Sequence, residues 1–246
     1  MQIPVSHNPI LSVLIIPGTL LFFYIYYYFA NSGFLKNFIS RRTGHPQTEI
    51  LLFFSKKILG FLLLGFIPGL MYYFLFKPDI TQFGISITAL KDNFSLIFIL
   101  ILIISVTLFI AQKMNSERNS LQINLTEWNS YLFTINAVGW IIYLAGYEIL
   151  FRGILLFECS NSFGFWPAIA INITIYSAIH MVNGKDQAIG ALVFGSFACY
   201  LTLTRGTILI PFFMHISLSL ISDYFSIRLN HQIHFVSAKK NNLTKL

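Results

Sequence analysis

Long apolar stretches separated by short polar loops dominate the chain. Seven windows approach the length of about 20 predominantly apolar residues that a helix needs to cross a bilayer; these are Ile10–Ala30, Ile58–Phe76, Phe94–Ala111, Tyr131–Phe157, Phe163–Val182, Ala188–Thr204 and Gly206–Asp223. Because hydrocarbon cannot satisfy exposed backbone groups, each window must be helical. The pattern predicts an all-α polytopic membrane protein, with about seven transmembrane helices that form an intramembrane helix bundle. Pro68 and Pro211 lie inside two windows and predict local kinks.

The composition excludes a water-soluble fold. Of the 246 residues, 56% are hydrophobic and only 10% are charged, whereas a soluble domain has about 25% charged residues. The net charge of +7 is spread over several loops, which argues against a nucleic-acid partner and leaves the lipid bilayer as the predicted environment. Cys159 and Cys199 fall in or beside apolar windows, so we expect buried thiols rather than a disulfide.

The distribution of basic residues predicts the topology. With seven spans, twelve of the sixteen Lys and Arg residues fall on one side, including Lys56 and Lys57 before the second window. The other side carries three, which are Lys77, Lys91 and Arg205. Cytoplasmic loops are enriched in Lys and Arg. We therefore expect an external N-terminus and a cytoplasmic C-terminus. Because no organelle signal is visible in the sequence, we expect the inner (plasma) membrane of a bacterium.

Intramembrane polar residues are unevenly distributed along the chain. The first three windows have no internal charge, whereas the last four hold nearly all the polar residues. We predict a transmembrane scaffold over residues 1–112, a chemical core over 128–227 and a cytoplasmic tail over 228–246. A transporter or channel is disfavoured, because the sequence contains neither an internal repeat nor a continuous polar path through the first three windows.

Glu148 and Arg152 are the charged pair of the fourth window. They lie four residues apart, so on a helix they share a face and can neutralise one another. One interpretation is a structural ion pair that fixes helix packing. The other is a polar active site, because ionisable residues inside a membrane often mark function.

Two later windows carry polar residues at a regular four-residue spacing, which places them on one helix face. The stripe of the fifth window is Asn172, Tyr176 and His180. The stripe of the seventh window is His215, Ser219 and Asp223. Asp223 could orient His215 indirectly, reach another helix or lie at the membrane interface.

Two chemistries suit a glutamate and two histidines on three helices. A divalent metal such as zinc could bind His180 and His215. In the metal-free alternative, Glu148 takes a proton from water and a histidine polarises a carbonyl. The usual zinc signature of two His four apart with a Glu between them is absent from the sequence.

The order of these motifs resembles the CAAX-protease and bacteriocin-processing (CPBP, or Abi) family of intramembrane endopeptidases, which includes the type II CAAX prenyl endopeptidases. That family carries Glu-Glu-x-x-x-Arg, Phe-x-x-x-His and His-x-x-x-Asn/Asp. Glu148, Arg152, His180 and His215 match these patterns between about Trp140 and Tyr224. The resemblance implies that His180 holds the attacking water and that His215 stabilises the oxyanion.

Three positions depart from the family pattern. Tyr147 replaces the first glutamate, which is the general base of the family; Tyr176 replaces Phe, and Ser219 replaces Asn or Asp. A phenol stays protonated near neutral pH, so Tyr147 cannot replace that base. Either Glu148 has taken over, or the protein is catalytically silent.

Two functions follow from the resemblance. The first is an endopeptidase that cleaves a membrane-associated peptide or protein near the cytoplasmic boundary, in bacteriocin processing or self-immunity. The alternative is a silent membrane scaffold or immunity protein of the same fold, and Tyr147 is the residue that favours it.

Overall fold

The computed structural model describes residues 9–77, 83–115 and 120–236, and these are mostly helical. The helices, in chain order, are α1 (Pro9–Asn31), α2 (Gly33–Ser40), α3 (Gln47–Phe61), α4 (Ile67–Phe76), α5 (Ile87–Asp92), α6 (Phe94–Met114), α7 (Ser130–Glu148), α8 (Phe157–Phe163), α9 (Phe165–His180), α10 (Lys185–Arg205) and α11 (Leu209–Leu229). Two π-helical segments interrupt longer helices: π1 (Leu62–Phe66) joins α3 to α4, and π2 (Ile149–Leu156) joins α7 to α8. The strands β1 (Glu127–Trp128) and β2 (His234–Phe235) pair in parallel.

Six helical stretches of the described residues are long and apolar enough to cross a membrane, which confirms the predicted all-α polytopic class. They are Val13–Ser40, Gln47–Phe76, Phe94–Met114, Ser130–Phe163, Lys185–Arg205 and Leu209–Leu229. On α6, for example, the large apolar side chains of Phe98, Ile99 and Leu102 are all exposed on the protein surface. Only a lipid environment makes that exposure favourable, so the chain is an integral membrane protein.

The fifth predicted window is shorter in the structure than in the sequence pattern. α9 has 16 residues, about 24 Å at about 1.5 Å per residue, and ends where Met181–Asn183 forms a 3-10 turn. It therefore falls short of the length that the other six reach. The apolar run continues past His180, but backbone geometry rather than hydropathy ends the helix.

The two prolines have different consequences. Pro68 lies in the first turn of α4, just after π1, and the kink predicted there stays a prediction. Pro211 was expected to kink the last helix. That prediction is wrong, because α11 begins at Leu209 and Pro211 lies in its first turn, where the missing N–H would have no intrahelical partner.

The chain forms two compact units, each built from three separate segments. The first unit comprises Met1–Ile25, Leu63–Asn93 and Gly146–Phe212, and the second comprises Tyr26–Leu62, Phe94–Ala145 and Phe213–Leu246. The division predicted from composition at residues 112 and 128 stays a prediction, and residues 237–246 of the predicted tail lie outside the described residues.

In the second unit, an apolar cluster surrounds the start of α7. Its buried members are Ile50, Phe53, Ile123, Trp128, Leu132, Ile227 and Ile233. The Asn129 side-chain oxygen accepts a 2.9 Å hydrogen bond from the Leu132 N–H, which caps the helix N-terminus. The cap and the cluster fix where α7 begins, and α7 carries Glu148 at its other end.

In the first unit, tight helix contacts surround the end of α7 and the π2 segment. Gly65 of π1 lies directly against Gly146, so a methyl group on Gly65 would overlap the Gly146 Cα. On π2, a Cβ at Gly153 would lie 3.1 Å from the Phe83 carbonyl oxygen. Gly164 links α8 to α9 with a φ of 90°, which favours glycine. These contacts position the segment that contains Glu148 and Arg152.

Candidate active site

Glu148 and Arg152 form a buried ion pair where α7 passes into π2. The Arg152 Nε lies 3.4 Å from Glu148 Oε2, and both side chains are excluded from solvent. Arg152 belongs to π2, whose wider turns are rare and often occur at functional sites. The first unit therefore holds a carboxylate in the protein interior with its counter-ion beside it.

The polar stripe predicted on the fifth window is present on α9 and faces π2. Asn172 donates a 2.6 Å hydrogen bond from its side-chain amide to the Phe151 carbonyl oxygen. The Arg152 guanidinium carbon lies 4.3 Å from the centre of the Tyr176 ring, a cation–π contact. Asn172 and Tyr176 thus bind the backbone and the charged side chain of the same segment.

His180, the last member of the stripe, is oriented by its own helix. Its Nδ1 lies 2.8 Å from the Tyr176 carbonyl oxygen, and because a carbonyl only accepts, Nδ1 carries the proton in a neutral ring. The Nε2 atom then carries the lone pair. This tautomer suits a histidine that accepts a hydrogen bond from water.

An aromatic wall joins these residues within the first unit. The Tyr147 ring stacks on Phe151 at 4.5 Å and meets the Tyr176 ring edge-on at 5.8 Å. It also lies 6.4 Å from the His180 ring, centre to centre. Tyr147 therefore packs between the π2 segment and the histidine.

Two residues of α10 complete the group, and neither is among the residues predicted from the sequence to form the site. Cys199 donates from Sγ to Asn172 Oδ1 at 3.1 Å. A Cβ at Gly195 would lie 3.0 Å from Tyr176 Cδ1, so glycine admits the tyrosine ring here. Both cysteines, Cys159 and Cys199, are buried thiols, as predicted.

His215, Ser219 and Asp223 lie on α11 in the second unit. His215 is buried and Ser219 is partly buried. The convergence of His215 on the Glu148 group stays a prediction. The structure thus brings together Glu148, Arg152, Tyr147, Asn172, Tyr176 and His180 within the first unit.

Asp223 reaches another helix, which is one of the three roles considered for it. Its Oδ2 accepts hydrogen bonds from Asn136 Nδ2 and Trp140 Nε1, both at 2.8 Å, and its Oδ1 accepts from Ser120 Oγ at 2.8 Å. Asn136 and Trp140 belong to α7. Within the second unit, Asp223 therefore connects α11 to α7.

Lys57 lies near the Asp223 carboxylate, and its burial changes the number of basic residues assigned to the cytoplasmic loops. It was counted as a loop residue, but it lies within α3 and its residue exposure is 2%. Its Nζ lies 3.1 Å from the Trp140 ring centre, 4.6 Å from that of Tyr143 and 5.1 Å from that of Phe53. A buried ammonium surrounded by aromatic rings contributes nothing to loop charge, so eleven of the sixteen basic residues remain on the predicted cytoplasmic side.

The residues around Glu148 do not form a metal site. Across the described residues, no group of three or more His, Cys, Asp or Glu side chains is arranged to hold a metal ion. The nearest charged partner of Glu148 is a guanidinium, which competes with a cation for the carboxylate. Glu148, Arg152 and His180 by themselves therefore do not fit a zinc site, and metal binding by His180 together with His215 stays a prediction.

Comparison with known proteins supports the resemblance seen in the motifs. Residues 128–221 match the model of the family described as type II CAAX prenyl endopeptidase Rce1-like. No curated protein and no solved structure matches the chain. The matched segment contains Glu148, Arg152, His180 and His215, and it confirms the similarity to CAAX-type intramembrane endopeptidases over that part of the chain.

Proposed function

We propose that the chain is an intramembrane endopeptidase that hydrolyses a peptide bond near the cytoplasmic boundary of the membrane. One observation carries the proposal: Glu148 is a fully buried carboxylate, 3.4 Å from Arg152 Nε, inside the segment that matches the endopeptidase family. Burying a charge is costly, and packing alone does not require it.

In the proposed mechanism, Glu148 is the general base. Its carboxylate takes a proton from a water held by His180 Nε2, and the hydroxide oxygen forms a bond to the peptide carbonyl carbon. His215, by resemblance, stabilises the negative charge on the carbonyl oxygen. When the intermediate collapses, the C–N bond breaks and Glu148 returns its proton to the departing amine.

Arg152 and Tyr147 have supporting roles in this proposal. The Arg152 guanidinium pairs with the Glu148 carboxylate and fixes its orientation, and the Tyr176 ring contacts the same guanidinium. Tyr147 packs beside His180 and limits where its ring can turn. We assign Tyr147 a role in positioning the substrate rather than a role in acid–base chemistry.

We further propose a bacterial inner-membrane location, with the N-terminus outside, the C-terminus in the cytoplasm and a membrane-associated peptide as substrate. The excess of Lys and Arg on one side supports this orientation. Reporter fusions after Asn37 and Lys240 should both report cytoplasmic locations. An external signal at either site contradicts the orientation.

The alternative is a silent scaffold or immunity protein, and Tyr147 favours it. At the position of the family's first glutamate, this chain has a ring stacked on Phe151. A packed aromatic residue contributes no carboxylate to catalysis. In that case the residues around Glu148 would bind a peptide without cleaving it.

Peptide cleavage by the purified full-length chain distinguishes the two functions. The substrates are a set of prenylated and unprenylated peptides, with products detected by mass spectrometry. If the chain is an enzyme, it cleaves at least one peptide, and Glu148→Asp, which keeps the charge but withdraws the carboxylate, lowers the rate about a hundredfold or more. Glu127→Gln removes an exposed carboxylate and should leave the rate unchanged. If only Tyr147→Glu cleaves, the natural chain is the silent relative.

A further inference from the structure

α2 is a short amphipathic helix at the end of the first membrane helix. The chain leaves α1 at Ser32, where the backbone is extended, and α2 then runs over eight residues. Ile39 is buried, whereas Phe34 is 77% exposed and Phe38 is 50% exposed. The two exposed rings stack at 6.3 Å. Such rings on a short amphipathic helix are typical of the membrane interface.

Cations surround these rings. Lys36, Arg41 and Arg42 are exposed on and directly after α2. Arg42 folds back over Phe38, with its guanidinium carbon 3.8 Å from the ring centre. Lys56 of α3 is close enough to Lys36 for the two like charges to interact, and Glu49 is the carboxylate that also faces Lys56. Three exposed cations therefore lie on and directly after α2, with Lys56 of α3 near one of them.

The two arginines and the two rings line a common pocket. It is formed by Phe34, Asn37, Phe38, Arg41 and Arg42. Two guanidinium groups and an amide supply the donors that a phosphate diester needs. The neighbouring rings provide an apolar surface for the glycerol and the first carbons of an acyl chain.

We propose that this pocket binds the headgroup of an anionic phospholipid. Charge complementarity favours an anion, and the exposed rings beside the arginines favour one that carries its own apolar chains. The predicted topology places α2 on the cytoplasmic side, where basic segments meet anionic lipids. The pocket shares no residue with the Glu148 group, and the proposal is independent of peptidase activity.

Native mass spectrometry of the full-length chain in a neutral detergent tests the site. The protein is titrated with phosphatidylglycerol and, separately, with phosphatidylcholine. We expect one phosphatidylglycerol to bind more tightly than phosphatidylcholine. Because each basic residue near an anionic lipid strengthens its binding several-fold, the variant Arg41→Gln/Arg42→Gln should weaken that binding about tenfold or more. Its phosphatidylcholine binding should not change.

The matched control removes two exposed cations from the first unit, in the variant Lys91→Gln/Arg205→Gln. It should keep the phosphatidylglycerol affinity of the parent chain. The proposal is overturned if both double variants lose the same amount of phosphatidylglycerol affinity. It is also overturned if that affinity is unchanged after Arg41 and Arg42 are replaced. Competition by millimolar inorganic phosphate alone would identify a free-ion site, and competition by an acidic peptide would identify a protein partner. Either result rejects the lipid. Thermal unfolding of each variant in the same detergent verifies that it is folded.

Discussion

The side-chain amide of Asn172 donates a 2.6 Å hydrogen bond to the carbonyl oxygen of Phe151. This bond joins α9 to π2 next to Arg152, and Cys199 extends it by donating to the Asn172 oxygen. Asn172, predicted only as a member of a polar stripe, thus binds the backbone of π2, the segment that contains Arg152 of the buried ion pair.

Asn172→Leu should destabilise the chain. The substitution keeps the approximate size of the side chain but removes both the donor to Phe151 and the acceptor for Cys199. A buried polar group that loses its partner costs about 1–3 kcal/mol. Thermal unfolding in detergent measures the loss. Cys199→Ala removes only a weak thiol donor and should cost less. If the two variants lose stability equally, the bond to Phe151 is not the important one.

Arg152→Met should be among the most destabilising single substitutions, because it leaves the Glu148 carboxylate buried without its counter-ion. Removing one partner of such a pair costs about 3–5 kcal/mol. The double variant Glu148→Gln/Arg152→Met should recover much of that stability without recovering cleavage. Unfolding midpoints and peptide cleavage of the three chains separate packing from chemistry. Cleavage by the double variant would show that Glu148 is not the base.

Gly65→Ala should force π1 away from α7, because the added methyl group would overlap Gly146. Overpacking of this kind costs about 1–3 kcal/mol. Since Gly146 precedes Tyr147 and Glu148, we also expect a lower cleavage rate. Gly190→Ala is the control, because a Cβ there meets no atom of the described residues within 4 Å. An unfolding midpoint that drops equally in both variants would rule out the helix contact as the cause.

Asp223 and Lys57 should show coupled effects on stability. Asp223→Asn keeps the shape of the side chain but removes the charge that faces the ammonium, and Lys57→Met removes the ammonium. Each single variant leaves one buried charge without its partner, so the double variant should be more stable than the sum of the two single losses predicts. A double-mutant cycle of unfolding free energies measures this coupling. Strict additivity would show that the aromatic rings alone stabilise Lys57.

Much of the fold follows from hydropathy, because a membrane leaves the backbone few alternatives to a helix. The stripe on α9 was predictable for the same reason, since residues four apart share a face of any regular helix. The π2 segment was not, because its residues Ile149–Leu156 are nearly all apolar and nothing in them distinguishes a π segment from an ordinary α-helix. The position of π2 in the site depends on contacts with α9 and α10, and such long-range contacts cannot be read from the order of apolar and polar residues along the chain.

Lys57 shows where reasoning from charge fails. It follows Lys56 directly, and two adjacent lysines before an apolar window are typical of a loop. In the structure α3 already begins at Gln47, so only one of the two faces outward, and the Lys57 ammonium lies against the rings of Trp140, Tyr143 and Phe53. The compensating partner, Asp223, is distant in sequence, so the cost of burying the lysine could not be assessed in advance.

The interleaving of the two units constrains how the protein can be assembled during translation. The first unit requires the chain as far as Phe212, and the second requires segments from Tyr26 onward together with Phe213–Leu246. Neither unit can close while the early helices are being made, although domains of larger proteins often fold in N-terminal order as they emerge at about 5–20 residues per second. The early helices must therefore wait in the bilayer or beside the insertion machinery. A ribosome that stalls before α11 would release a chain in which the Asn136 and Trp140 donors of α7 have no Asp223 carboxylate to bind.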